Sequence, residues 1–279
     1  MKITDSCAQC LYNKQKKFST DENYLSEIRR VIDERKDGDT PPLLIYEFSR
    51  IHERYYGKPV SYREEKKRFN DLVLSLQDDI REKIETSADP LRVSLSYARV
   101  GNYIDYGALD EVKENDFLQI LDGATLSETD ERTVDHLLTK LSTAKSFLLI
   151  CDNCGEIVLD RLFLEQLHKR YPELKLRVMV RGGEALNDAT AEDALYVGMD
   201  AYAQIVSSGV ATAGTIYSLM SDEARKVLDE TEVILAKGQG NYESLSEQGR
   251  HIFYAFLCKC DKFTANFGVK QFEGIFIEE

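Results

Sequence analysis

The sequence predicts a mixed α/β protein in which helices come first and a mostly parallel sheet with crossover helices follows. From about residue 20 to residue 90, apolar side chains recur at helical spacing within long charged stretches, as at Tyr24, Ile28 and Ile32. The second half instead alternates short β-rich runs with helix-length segments, which is typical of a Rossmann-like sheet. We therefore predict a helical N-terminal region over residues 1–95 and an α/β domain over residues 96–279.

The helical part divides into several helices joined by short loops. Stretches with Pro and Gly at residues 36–42 and 56–59 interrupt the helical pattern. A further irregular segment lies between Gly101 and Gly107, and a helical pattern resumes from about Asp110 to Lys145.

The predicted strands mostly leave room for a crossover helix between them. They are Phe147 to Cys151, Leu176 to Val180, Ala203 to Val206, Val233 to Ala236 and Phe272 to Ile277. The segment from Gly155 to Arg170 is one such helix, because apolar positions recur in it and Pro172 stops it.

The composition excludes several classes of protein. With 279 residues, 43% of them hydrophobic, the chain can bury a substantial core. Its formal net charge of -13 argues against nonspecific nucleic-acid binding, which relies on Lys and Arg. No apolar run approaches the roughly 18–20 residues that span a bilayer, and the chain starts without an apolar signal core. We therefore predict a cytoplasmic protein that binds neither nucleic acid nor membranes.

Polar residues follow three of the predicted strands. In an open α/β sheet, ligands bind beyond the carboxyl ends of the strands, so these residues are expected to converge on one crevice. They are Asp152, Asn153 and Glu156 after the first strand, Arg181-Gly182-Gly183 with Asn187-Asp188 after the second, and Lys237-Gly238-Gln239-Gly240-Asn241 after the fourth.

These residues suit a divalent cation and a phosphate. Asp152 and Asp188 supply anionic oxygens and Asn153 a neutral one, which limits the negative charge that would repel an incoming phosphate. Lys237 is suited to hold that phosphate, and the small residues beside it, such as Gly238, let backbone N–H groups approach closely. The pattern indicates phosphoryl transfer or hydrolysis of a phosphate ester.

Each piece also has a plain structural interpretation. An Asp at the end of a strand is often a helix cap, and Asn187-Asp188 is a common turn pair. Lys237-Gly238 is equally compatible with a closed loop. The shared placement of these residues at strand ends favours the functional interpretation.

Four motifs resemble the DUF89 family of metal-dependent damage-control phosphatases, in particular its prokaryotic branch with paired cysteines. The resemblance covers most of the chain in order. The motifs are Gly101-Asn102-Tyr103-Ile104-Asp105-Tyr106-Gly107, Asp152 to Asp160, Arg181-Gly182-Gly183 with Asn187-Asp188-Ala189-Thr190, and Lys237 to Glu243.

The resemblance implies a metal-dependent phosphatase acting on a small phosphorylated metabolite, such as a sugar phosphate or a damaged phosphate ester. It implies Mg, Mn, Co or Ni held by Asp152, Asn153 and Asp188, with Lys237 on the substrate phosphate. Further residues are expected to face the same crevice, namely Asn102, Asp105, Asn241 and Glu156. Cys154 departs from the alanine expected in many members, which predicts a thiol beside the metal.

Two chemical routes fit these residues. In one, a metal-bound water attacks the phosphorus while Asp188 or Glu156 helps to remove its proton. In the other, Asp152 becomes an aspartyl-phosphate. We favour water attack, because the haloacid-dehalogenase pattern would place a second Asp where Cys154 stands.

Two other classes of protein are alternatives to a phosphatase. A nucleotide- or cofactor-binding Rossmann-like module without hydrolysis would use similar strand ends, but it does not require the trio of Asp152, Asn153 and Asp188. A methyltransferase is disfavoured because no glycine-rich methyl-donor motif follows the first strand.

Two pairs of cysteines suggest a second metal site. Cys7 and Cys10 have ligand spacing, and Cys258 with Cys260 would complete a four-thiolate site if the termini meet. Reduced, partly buried thiols are the alternative. His168 is interpreted as a cap or surface group at a charged helix end. The other histidines, His52, His136 and His251, lie in helical patterns without a ligand-like partner at helical spacing, so an active site based on histidine is not expected.

Overall fold

A six-stranded sheet forms the centre of the protein, whose computed structural model describes residues 1–57, 61–105 and 114–279. The strands are β1 Ser146–Ile150, β2 Lys175–Val180, β3 Gln204–Ser207, β4 Val233–Lys237, β5 Phe253–Leu257 and β6 Gly274–Glu278. Their order is β3-β2-β1-β4-β5-β6, with parallel pairing up to β5 and antiparallel pairing between β5 and β6. The predicted mostly parallel α/β sheet is confirmed.

Helices precede the sheet and connect its strands. Those ahead of the sheet are α1 Asp5–Phe18, α2 Glu22–Asp33, α3 Pro41–Tyr56, α4 Arg63–Glu85, α5 Pro90–Val100, α6 Glu114–Asp122 and α7 Glu128–Leu141. Those within the sheet domain are α8 Glu156–Arg170, α9 Ala191–Tyr196, α10 Asp222–Glu230, α11 Gln239–Leu245 and α12 Asp261–Phe267. No helix among the described residues is long and apolar enough to cross a membrane.

The strand predictions differ from the structure in two places. The strand β5 was not predicted from the sequence, although its run Phe-Tyr-Ala-Phe-Leu is fully buried. The last strand begins at Gly274 instead of Phe272, because Phe272 has a φ of +64° and lies outside the strand. Parts of three predicted segments lie outside the described residues: loop residues 58 and 59, residues 106 and 107 of the irregular segment, and residues 110–113 of the helical pattern.

Both faces of the sheet are covered, as buried parallel strands require. Alternate residues of β1 point to opposite sides: Phe147 and Leu149 join one apolar cluster, and Leu148 and Ile150 join another. Helix α8 packs on the first of these faces, and all its residues from Glu156 to Leu167 except Arg161 are buried. This is why its apolar residues do not form a single stripe.

The N-terminal helices have a small core of their own. Helices α1, α2 and α3 enclose a third apolar cluster centred on Tyr24, Ile28 and Phe48. Helix α5 belongs to the larger core instead: it runs across the predicted boundary at residues 95 and 96 and packs along α8. The division at residue 95 stays a prediction.

Candidate active site

The sheet changes the direction of its connections between β1 and β4, and the candidate site lies beyond the carboxyl ends of these two strands. Asp152 and Asn153 follow β1, and Gly238 follows β4. A cleft of about 300 Å³ opens here, bounded on its far side by residues of α1 and α3. Such a switch point is where α/β sheets bind their ligands.

Backbone pairing brings Asp188 to the end of β1. Asn153 and Asp188 form an isolated antiparallel bridge. The N–H of Ala189 donates to the carbonyl of Asp152 at 2.7 Å, and the N–H of Cys154 donates to Asn187 at 2.9 Å. The predicted trio of Asp152, Asn153 and Asp188 therefore lies together, and all three residues line the cleft.

Arg181 joins the two aspartates of this trio. Its Nε lies 2.6 Å from Oδ2 of Asp188, and its Nη2 lies 3.3 Å from Oδ1 of Asp152. The guanidinium is buried and also donates to Thr215 and Asn241. Asn241 is thus a partner of Arg181, and its own amide donates to the carbonyls of Cys151 and Lys237. Arg181 was noticed in the sequence only as part of a motif.

Burial raises the pKa values of the carboxyl groups of Asp152 and Asp188. Burial, followed by the charges of Asp188 and Glu156, raises the pKa of Asp152 well above its usual range. Burial also raises the pKa of Asp188 to about 6, although Arg181 opposes this change. One cation therefore does not offset the negative charge at this site.

Amide side chains fix the remaining oxygens of the site. Asn153 Nδ2 donates to Oδ2 of Asp152 at 2.7 Å and to Oε2 of Glu156 at 3.0 Å. Asn102 Nδ2 donates to the same two carboxylates at 3.0 and 3.1 Å, and its Oδ1 accepts from the N–H of Leu257. Asn102 therefore contacts the carboxylates of the site from the helical half. Asn102, Glu156 and Asn241 are, however, fully buried and do not line the cleft that they were expected to face.

Two oxygens of the cleft-lining residues have no hydrogen bond from any described residue. These are Oδ1 of Asn153 and Oδ1 of Asp188. They lie in a cleft where Asp105, held by Lys259 at 2.7 Å, adds a third carboxylate. Carboxylate and amide oxygens of this kind fit Mg²⁺ or a similar divalent cation.

Lys237 differs from its predicted position. Its side chain is fully buried, and its three N–H donors are directed to the carbonyl of Ala98, Oε1 of Glu156 and Oδ1 of Asp160, at 2.7, 2.7 and 2.6 Å. An ammonium group has three donors, so the predicted phosphate-binding role of Lys237 is not supported by this arrangement. Asp160 was not predicted from the sequence as a residue of the site. It lies one helical turn after Glu156 in α8, and two acidic residues at this spacing in an otherwise apolar helix could have indicated it.

Gly238 closes the site from the β4 side. Its φ is +81°, and a Cβ atom built on it would lie 1.9 Å from Oδ2 of Asp152. No other residue fits between β4 and the carboxylate.

Cys154 faces away from the predicted metal. Its thiol interacts with Asp193, Asn70 and Lys66, and burial raises its pKa well above the usual range. Lys66 is itself buried and pairs with Asp193 at 2.7 Å and Glu184 at 3.2 Å. The expectation of a thiol beside the metal is therefore corrected.

The four-thiolate prediction also fails to match the structure. Cys7, Cys10 and Cys260 line the cleft, but Cys258 is fully buried in the core at the end of β5. Among the described residues, one group of three His, Cys, Asp or Glu side chains has its ligand atoms within 4.8 Å of one another. It consists of His136, His251 and Glu278. The cysteines do not form such a group.

A mostly parallel sheet with acidic and amide side chains at its switch point is the arrangement with which α/β proteins bind small ligands. The model for the damage-control phosphatase ARMT1-like domain matches residues 2–275, so the chain belongs to this family.

Individual relatives agree with this assignment. A damage-control phosphatase from Archaeoglobus fulgidus is 31% identical and aligns over 96% of each chain. A damage-control phosphatase from Pyrococcus horikoshii is 26% identical over 74% of this chain and 70% of its own. The crystal structure of a DUF89 family protein from Pyrococcus horikoshii has a TM-score of 0.79 and covers 99% of both chains at 23% identity, which shows the same fold.

Proposed function

We propose that this protein is a metal-dependent phosphatase that hydrolyses phosphate esters of small metabolites, such as sugar phosphates or damaged phosphometabolites. The strongest support is the bridge between Asn153 and Asp188, which gathers Asp152, Asn153 and Asp188 at one cleft. Two relatives named damage-control phosphatases support the same activity.

The charge of the site supports a divalent cation. Four buried carboxylates, those of Asp152, Glu156, Asp160 and Asp188, face two buried cations, Arg181 and Lys237. Unpaired buried charge is costly, and a divalent cation would offset it. The oxygen ligands suit Mg or Mn, and Co or Ni are further candidates.

Asp152, Asn153 and Asp188 would hold the metal, and each neighbour has a defined part in positioning them. The metal, when bound, supplies a Lewis acid for the phosphoryl oxygens and lowers the pKa of a bound water. Arg181 orients both aspartates, and Glu156 orients Asn153. Lys237 holds Glu156, so we assign it a positioning role instead of phosphate binding.

We favour direct attack by water over an aspartyl-phosphate. The aspartyl-phosphate route would make Asp152 the nucleophile, with a second acid two positions further along the chain. The residue two positions later is Cys154, whose thiol faces Asp193 and so cannot assist a nucleophilic Asp152.

Other residues that line the cleft would select the substrate. Helix α1 contributes Ser6, Cys7, Cys10 and Lys14, and α12 contributes Asp261 and Lys262. Because these side chains line the same cleft as the aspartates, they would contact the part of the metabolite beyond its phosphate.

Phosphate release tests the proposal. Chelator-treated protein is assayed on an aryl phosphate and on a set of sugar phosphates, with Mg, Mn, Co and Ni added in turn. Asp152→Asn and Asp188→Asn should lower kcat/KM by about a hundredfold or more, since a bound metal supplies several kcal/mol of transition-state stabilisation. Asp78→Asn, which alters an exposed aspartate of α4 that does not line the cleft, is the matched control and should retain activity.

Metal-independent hydrolysis, or full activity in both site variants, would contradict the proposal. Tight binding of a nucleotide or other cofactor without any phosphate release would favour the cofactor-binding alternative.

A further inference from the structure

Three side chains that carry possible metal-ligating atoms meet outside the cleft, and none of them lines it. His136 belongs to α7, His251 precedes β5, and Glu278 ends β6. Their ligand atoms all lie within 4.8 Å of one another. His136 Nδ1 lies 2.5 Å from Oε2 of Glu278, and His251 Nε2 lies 3.6 Å from the same oxygen.

We propose that His136, His251 and Glu278 form a second metal site, which takes a borderline transition-metal cation such as Zn²⁺. Tetrahedral ligands at about 2.0–2.1 Å from zinc lie roughly 3.3 Å apart, which is close to the 3.6 Å between His251 and Glu278; the 2.5 Å hydrogen bond between His136 and Glu278 would open when zinc binds. Two imidazoles and one carboxylate are a known ligand set for zinc and leave a fourth position open.

The sheet fixes two of the three ligands. Phe253 pairs with Glu278 across the antiparallel β5 and β6, and reciprocal hydrogen bonds between Ile252 and Glu279 extend the ladder. His251 is two residues before Phe253, so it projects from the same face of the sheet as Glu278. The pair is therefore positioned by backbone hydrogen bonds.

Packing places the third ligand. Helix α7 buries Val134 and Leu137 on either side of His136, and Asp130 at its start accepts the N–H of Phe276 at 3.0 Å. The ring of Phe253 contacts both imidazoles edge-on, with centroids 5.9 Å from His136 and 5.2 Å from His251.

The surroundings allow a cation to enter. The side chains of His136, His251 and Glu278 are 44%, 47% and 34% exposed, so binding does not require the core to open.

The two metal sites are expected to prefer different ions. The cleft offers carboxylate and amide oxygens, which suit Mg²⁺ and Mn²⁺, whereas imidazole nitrogen suits Zn²⁺, Ni²⁺ and Cu²⁺. A consequence for any activity assay is that Ni²⁺ or Zn²⁺ would also bind away from the cleft.

Zinc binding without any activity measurement tests the second site. In an Asp152→Asn/Asp188→Asn background, chelator-treated protein is titrated with Zn²⁺ by calorimetry in excess Mg²⁺. About one equivalent of zinc should bind per chain, because the trio is the one such ligand group among the described residues. Adding His136→Ala and His251→Ala should abolish this binding, whereas His168→Ala, which removes an exposed histidine outside the group, should leave it unchanged.

Glu278→Gln is a milder variant that retains the side-chain shape. It should weaken zinc binding by about a hundredfold or more, since changes to outer-shell partners alone cost about 10- to 100-fold. Circular dichroism confirms that each variant is folded. Zinc stoichiometry that survives loss of both histidines, or equal displacement of zinc by Mg²⁺, would overturn the proposal.

Discussion

Gly238 shows how a single backbone position shapes the site. A side chain here would displace the carboxylate of Asp152, because its Cβ would lie 1.9 Å from Oδ2. We predict that Gly238→Ala abolishes phosphatase activity and weakens Mg²⁺ binding. The matched control is Gly249→Ala, where φ is +71° but nothing lies within 4 Å of the added Cβ. The control should lose only about 1–2 kcal/mol of stability through left-handed strain.

Steady-state kinetics and urea unfolding of both variants measure the difference. If Gly238→Ala retains activity like Gly249→Ala, the close approach to Asp152 has no functional importance.

We predict that Lys237 stabilises the folded protein by neutralising the buried carboxylates of Glu156 and Asp160. Lys237→Met leaves Glu156 and Asp160 buried without their cation, and breaking a buried pair costs about 3–5 kcal/mol. Burial already raises the pKa of Asp160 to about 7 against the opposing charge of Lys237, so this carboxyl can become neutral when the lysine is lost. Chemical unfolding should show the loss, and adding Asp160→Asn should restore part of it.

A lysine that served only to bind phosphate would behave differently. Lys237→Met would then raise KM with stability unchanged. Lys226→Met, at an exposed position in α10, controls for the substitution itself and should change stability by less than about 0.5 kcal/mol.

The site could be predicted from sequence where it depends on strand ends and not where it depends on distant partners. Asp152, Asn153 and Asp188 stand directly after buried runs or a short turn, so sequence position alone indicated them. The partners of Lys237 could not be read in this way, because Ala98 is 139 residues away in the chain and Asp160 is 77. A glycine-rich context suggested phosphate, whereas the fold directs the ammonium group inward.

At the scale of elements, β5 was not predicted because its identity depends on distant partners and not on its local sequence. β1 and β4 were predicted because they are short apolar runs followed by polar residues. β5 is equally apolar, but a continuous apolar run does not distinguish a buried strand from a buried helix segment. Its identity comes from pairing with β4 and β6, which no local pattern records.

The α1–α3 unit is predicted to control substrate binding through its own small core. Tyr24 is completely buried there, packs against Tyr55 and Tyr56 with centroids 5.6 and 5.5 Å away, and donates to Gln15. Tyr24→Ala should cost about 3–5 kcal/mol, as for other large buried side chains. Because α1 and α3 line the cleft, KM should rise more than kcat falls.

Phe18→Ala is the control for this prediction, since Phe18 is 52% exposed at the end of α1. Its stability and KM should both stay close to those of the unaltered protein. An unchanged KM in Tyr24→Ala, despite the loss of stability, would show that the α1–α3 unit does not contact the substrate.

At the scale of the whole molecule, the excess negative charge of the site links metal binding to stability. The chain has a formal net charge of -13, and the aspartates of the cleft are buried beside further carboxylates. Repulsion among these groups opposes folding, and a cation that binds only the folded protein removes part of it. At a Mg²⁺ concentration about a hundred times Kd, the gain is about 2.7 kcal/mol.

Thermal unfolding should therefore show two linked effects. Mg²⁺ should raise Tm by roughly 5–10 °C, since a domain of about this size gains about 2–4 °C per kcal/mol. Asp152→Asn/Asp188→Asn should lose this response, and without metal it should unfold at a lower temperature than the unaltered protein, because Arg181 stays buried without its carboxylate partners. His136→Ala/His251→Ala should keep the full response to Mg²⁺, since its ligands belong to the other site. An equal Mg²⁺ response in the aspartate variant would mean that the cation stabilises the protein through its general surface charge and not through the trio at the end of β1.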